Sequence, residues 1–170
     1  MNDGTLLTHG SRPAVRLERH LDDPPSVVWQ ALTDREQLRS WFPCDVVVAG
    51  GSWDVGAAIT FHFPPEVIDM TLTGRVLAFD EPKVLAFSWG EENLRFELSA
   101  DGDGTRLVLI DELPAGIAAR NAAGWDVCLD RLAGLDPAPD AWRPRFEVYA
   151  AAFEPALGRQ EGPPDGYKGD

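Results

Sequence analysis

The stretch AARNAAGWDVCLDRLAGL, residues 118–135, most constrains what this chain can fold into. It reads as a long amphipathic helix. Ile117, Asn121, Gly124, Trp125, Cys128 and Leu132 fall on one side, while Asp126, Asp130 and Arg131 fall largely on the other. The helix follows a long run that reads almost entirely as strand and turn. One long helix after a set of antiparallel strands must bury its apolar stripe on their sheet. A curved sheet gripping one helix leaves a hollow between them. The pattern therefore predicts an α+β fold with a cavity, without naming what enters it. Gly134 is placed to end the helix.

The strands are legible from alternation. Over Ala14–Leu21, Val15, Leu17, Arg19 and Leu21 take one face and Arg16, Glu18 and His20 the other. Asp22-Asp23-Pro24-Pro25 breaks this strand and opens a helix through VVWQALTD. A second short helix, Asp34 to Ser40, starts on Asp34 as its cap. Further strands are expected at Asp45–Val48, Ala57–Phe63, Val67–Phe79 with a bend at Gly74, Val84–Trp89, from Leu94 onward, and Arg106–Asp111. Turns are expected at Asp80–Lys83 and Gly90–Asn93, with a hairpin at Asp101–Gly104. A short last helix, Trp142–Phe153, spaces Phe146, Tyr149 and Phe153 helically. Residues 1–12 and 158–170 read as disordered tails, leaving a single domain over 13–157.

Charge limits the partners. The formal net charge of -13 opposes nucleic acid and anionic membranes. No run approaches the roughly 18 apolar residues of a membrane span. Cys44, expected to be partly exposed, and Cys128 lie far apart and form no paired framework, which predicts a reduced, cytoplasmic protein. His9, His20 and His62 lack the converging spacing of a zinc site, so no metal or other cofactor is expected. Cys128, on the inner helix stripe, reads as packing rather than as a nucleophile. The sequence assigns no catalytic residue.

The aromatics form the candidate binding site. Phe61, Phe63, Phe87, Trp89, Phe96 and Trp125 fall on faces expected to look inward, and Trp29, Trp41 and Phe42 plug one end. Asn121 is the candidate orienting polar contact, with Cys128 beside Trp125; Asp69 and Thr71 are further candidates for inward polar groups. Arg75, Arg95, Glu97 and Arg106 read as solvent-face charges. Either these rings line a pocket or they fill a core. Packing density decides, and sequence does not give it.

Five segments carry a family resemblance: VWQALTDREQLRSWF, VGAAITFHF, GRVLAFDEPKVLAFSWG, LRFELSADGDGTRLVL and AARNAAGWDVCLDRLAGL. In this order they resemble the SRPBCC (START-like, helix-grip) superfamily, and within it the bacterial branch named after the activator of a heat-shock-protein ATPase. The resemblance covers Val15 to Leu135 and extends toward Phe153. It implies a seven-stranded antiparallel sheet wrapped around the C-terminal helix, with an internal apolar cavity. It implies little about activity, because the superfamily spans carriers, receptors, cyclases and co-chaperone domains. The expected function is non-catalytic binding of a small hydrophobic or aromatic molecule. The alternatives are a co-chaperone-like protein-interaction domain in a stress response, and a cyclase or hydrolase acting on an aromatic substrate. The aromatic stripe of Trp142–Phe153 covers either the chain's own helix or a partner's, which leaves a homodimer open.

Overall fold

Alternating apolar residues build one antiparallel sheet, described for residues 3–168 in a computed structural model. The elements are β1 (Thr5–Leu7), β2 (Ala14–Leu21), α1 (Pro25–Thr33), α2 (Arg35–Trp41), β3 (Asp45–Val48), β4 (Ala58–His62), β5 (Thr71–Asp80), β6 (Val84–Trp89), β7 (Glu92–Asp101), β8 (Gly104–Glu112), α3 (Ala118–Leu132) and α4 (Trp142–Leu157). The strand order is β1-β2-β8-β7-β6-β5-β4-β3. The pairing β2–β8 joins the two ends of the domain in sequence, running from Ala14 opposite Glu112 to Leu21 opposite Thr105. Asp34 caps α2 as its side chain predicts, accepting from the Gln37 N–H at 3.0 Å. Gly134 ends α3 with φ 81°, the left-handed conformation that favours glycine.

The structure corrects several expectations. The sheet has eight strands rather than seven, because Thr5–Leu7 pairs with Ala14–Arg16. Residues 3–12 are thus not a disordered tail, residues 1 and 2 lying outside the described residues: an unpaired β2 edge offers backbone partners, and the Gly4 N–H donates to the Tyr149 hydroxyl at 2.9 Å. Residues 158–168 are tied down as well, residues 169 and 170 lying outside the described residues. α3 has no side-chain cap of its own. Buried Gln160 supplies one, its Oε1 accepting from the Ala119 N–H at 2.9 Å and its Nε2 donating to the Ala115 carbonyl at 3.0 Å. β5 starts at Thr71, not Val67, because the Pro64 carbonyl takes the Val67 and Ile68 N–H groups in a turn. Its irregularity lies between Val76 and Ala78 rather than at Gly74. Gly74 instead permits close packing: a Cβ there would stand 1.8 Å from the Ser88 carbonyl oxygen.

α3 lies on the sheet through Ala118, Ala122, Trp125 and Leu129, all buried. Alanines let the helix axis approach the strands closely. Its other side is covered too, since α4 folds back along it. Asp126 and Asp130, expected on the outer side, are therefore buried. Asp126 is ion-paired with Arg19 and accepts from the Tyr149 hydroxyl, and Asp130 is paired with Arg145 at 2.7 Å. Tyr149 and Phe153 are buried, and Trp142 and Phe146 pack against the same core. The aromatic stripe of α4 thus covers the chain's own helix.

Candidate ligand cleft

The β6–β7 hairpin sets Trp89 opposite Glu92, so both side chains leave the sheet on one face. Phe87, Leu94 and Phe96 share that face by the two-residue period of a strand. On β8, Leu107, Leu109 and Asp111 alternate inward, and all are fully buried. The middle of the concave face is packed. Phe61 and Phe87 stack at 5.7 Å and Phe87 and Phe96 at 6.1 Å between ring centroids. Phe42 inserts beside them, 5.6 Å from Trp89 and 5.6 Å from Trp125. These rings fill the space that a large central hollow would need.

A cleft of about 110 Å³ remains beside α3, lined by Pro43, Trp89, Arg120, Asn121, Gly124, Trp125 and Cys128. Its surface is chiefly apolar. The Trp89 and Trp125 indoles form its walls, with centroids 5.1 Å apart. Phe63 stacks behind Trp89 at 6.0 Å. Of the candidate binding residues, Trp89, Asn121, Trp125 and Cys128 come together on the cleft, Phe63 supports it, and Phe61, Phe87 and Phe96 pack beneath it. Asp69 and Thr71 are exposed and contribute nothing to it. A larger hollow of about 460 Å³ lies elsewhere, among Trp29, Thr33, Trp53, Phe79 and Glu81, but its lining is more polar than apolar.

Sequence reasoning missed a carboxyl pair against the cleft wall. Asp111 Oδ2 accepts from the Trp125 Nε1–H at 2.9 Å and from Asn121 Nδ2 at 3.2 Å, and Asn121 Nδ2 also donates to Glu92. Burial, reinforced by the neighbouring charge of Asp111, pushes the Glu92 carboxyl far above the usual carboxylate range. Burial pushes Asp111 up as well, against its hydrogen bonds from Glu92, Trp125 and Asn121. Two buried carboxyls that share the Asn121 amide each disfavour ionisation of the other. The signal for Asp111 was present in the sequence: it continues the inward alternation of Leu107 and Leu109. Glu92 was hidden because the segment Gly90–Asn93 reads as a turn.

Both thiols are buried and held in the protonated form. Burial pushes Cys128 up to about 12, and Cys44, expected to be partly exposed, is buried with its thiol pushed up further. The loop after Pro43 turns it inward against the core. Among the described residues no group of three or more His, Cys, Asp or Glu side chains could hold a metal ion. No described helix is long and apolar enough to cross a membrane.

A curved antiparallel sheet holding one long helix, with α1 and α2 closing an end, is the helix-grip architecture of the SRPBCC superfamily. The profile of the family described as "Activator of Hsp90 ATPase homolog 1-like protein" matches residues 22–135, more than half of the chain, and the protein belongs to that family. Solved structures agree on the fold. CalU16 from Micromonospora echinospora is 24% identical over 89% of this chain and 97% of its own, with a TM-score of 0.70. EF2215 from Enterococcus faecalis, a conserved protein of unknown function, is 23% identical over 90% and 91%, with a TM-score of 0.74. DynU16, from the dynemicin biosynthetic locus, is 23% identical over 71% of this chain and 46% of its own, with a TM-score of 0.61. At these identities the likeness is one of fold. No curated protein matches the sequence.

Proposed function

We propose that this protein binds a small aromatic molecule, without transforming it, in the cleft beside α3. The observation that carries the reading is an apolar cleft walled by two indoles on an otherwise filled concave face. Its volume of about 110 Å³ is of the order of engineered cavities that take up benzene, so it seats a single ring or the edge of a fused one. Burying roughly 100–200 Å² of ligand at about 25 cal/mol per Å² contributes on the order of 2.5–5 kcal/mol, which on its own corresponds to weak binding, with Kd on the order of 0.2 to 15 mM. A cytoplasmic setting fits the two unpaired, buried thiols. The origin of DynU16 in a biosynthetic locus is in keeping with a small-molecule role. The co-chaperone reading has the family description behind it and no surface feature.

The test is a panel of monocyclic and fused aromatics read by thermal shift and tryptophan emission. Binding should quench or shift the emission of Trp89 and Trp125 and raise the melting temperature by mass action. Cys128→Trp should fill the cleft and abolish both responses in a protein that still folds. A panel without any response, or responses unchanged in Cys128→Trp, would reject the cleft as the binding site.

A further inference from the structure

The larger hollow of about 460 Å³ is built by three separate segments and falls in the size range of small-molecule sites. α1 and the residue after it bring Trp29, Thr33 and Asp34, the bend after β3 brings Trp53, and the end of β5 with the turn after it brings Phe79 and Glu81. Contacts between these segments fix its frame. The Trp53 Nε1–H donates to the Thr33 carbonyl at 2.9 Å, the Thr33 hydroxyl donates to the Trp29 carbonyl at 2.9 Å, and the Trp29 and Phe79 rings meet edge to face at 5.4 Å. The surface facing the hollow is more polar than apolar, so oxygen and nitrogen atoms look into it. Its only ionised lining residues are the exposed carboxylates Asp34 and Glu81. Neither has an ion-pair partner among the described residues. Asp34 takes one hydrogen bond, from the Gln37 N–H, while the neighbouring Arg35 and Arg39 are engaged by Asp45 at 2.8 and 3.3 Å. Lys83, in the turn that carries Glu81, is outside the lining. Phe79 is 39% exposed, a ring that the fold leaves open at the wall.

We propose that this hollow is a second binding site, independent of the cleft, and that it takes an organic ammonium ion with an apolar body. An ammonium group carries only donors and the two carboxylates only acceptors, so the charges and the hydrogen-bonding roles match. The apolar body covers the open Phe79 ring, which also attracts a cation. An anion is repelled by Asp34 and Glu81 and by the net charge of -13. A neutral analogue of the same shape gains the ring contact without the attraction. Because both carboxylates are exposed, solvent screens them and the preference for the cation is modest.

Phenethylammonium, 2-phenylethanol and phenylacetate test this as a charge series of similar shape, by calorimetry on the full chain at low salt. Phenethylammonium should bind about tenfold tighter than 2-phenylethanol, and phenylacetate more weakly than either. Asp34→Asn combined with Glu81→Gln keeps a capping side chain and both side-chain sizes while removing the charge. In this double variant the preference for the cation should shrink to within about twofold. Glu147→Gln combined with Glu154→Gln removes the same charge from exposed positions on α4 and should leave the preference unchanged, which separates a site from the pull of the chain's net charge. Circular dichroism confirms that each variant folds. Equal binding of cation and alcohol by the wild type would overturn the inference, as would failure of phenethylammonium to bind. So would a preference that survives in the Asp34 and Glu81 variant or is lost equally in the α4 variant. The cleft reading stands in each case, because none of these residues lines the cleft.

Discussion

Trp125 has two tasks, and they can be separated by substitution. Its ring fills the angle between α3 and the sheet against Phe42 and Trp89, and its Nε1–H holds the buried carboxyl of Asp111. Trp125→Ala should lose about 3–5 kcal/mol for the cavity alone, with Asp111 deprived of a donor in addition. Trp125→Phe keeps most of the packing and should lose only about 1–3 kcal/mol, the cost of a buried acceptor left short of a partner. Urea unfolding of the two variants measures the difference. Equal losses would mean that the hydrogen bond is energetically silent. The ring was legible as an inward residue from helical spacing, and so was Asn121. Asp111 was not read as inward, because a carboxylate in an apolar face contradicts the usual burial preference unless its partners are known. Those partners come from β7 and α3, far apart in sequence.

At the scale of elements, the least legible features were those supplied from a distance. The periodicity of α3 placed Trp125 on the sheet, but Ala118, Ala122 and Leu129 share that side rather than Ile117, Gly124 and Leu132, and the other side was read as solvent. α4 covers it, and the anchors of that contact are polar: Tyr149 on Asp126 and Arg145 on Asp130. Arg19 from β2 joins the same group, and the Gly4 N–H binds the Tyr149 hydroxyl. One side chain thus links the N-terminal strand, α3 and α4. Tyr149→Phe should cost about 1–3 kcal/mol, since a buried Asp126 oxygen and the Gly4 N–H both lose their partner. Hydrogen exchange should quicken in β1 and α4 before the central strands. Uniform exchange would show that these elements open only with the whole domain. Deleting residues 141–170 should unfold the protein, because it uncovers the back of α3 and removes the Gln160 cap. Loss of dimer mass with the fold intact would instead assign α4 to an interface between copies.

For the molecule as a whole, the carboxyl pair fixes how stability varies with pH. Glu92 and Asp111 have folded-state pKa values raised above those of the unfolded chain. Above the ordinary carboxylate range the unfolded chain has released its protons while the folded pair holds on to proton charge to a higher pH. The folded state then binds more protons, so stability falls as pH rises, by up to about 1.4 kcal/mol per unit for one proton. The fall ends only where the folded pair itself ionises. The net charge of -13 adds repulsion in the same direction. Asp45 works oppositely. Hydrogen bonds from Arg35 and then Arg39 hold its carboxyl well below the usual range, so its contribution is present above the unfolded value near 3.8 and is lost as pH falls. The stability maximum should therefore lie in mildly acidic solution. Glu92→Gln tests the pair: it keeps an acceptor for the Asn121 amide but has no proton to lose. The wild-type melting temperature should decline steadily from about pH 5 to about pH 9, at roughly 2–4 °C per kcal/mol for a domain of this size. The variant's curve should decline less steeply over the same range, because Asp111 and the net charge still act, and cross above the wild type on the alkaline side. Parallel curves would mean that Glu92 does not hold its proton in the folded protein beyond the range of the unfolded chain.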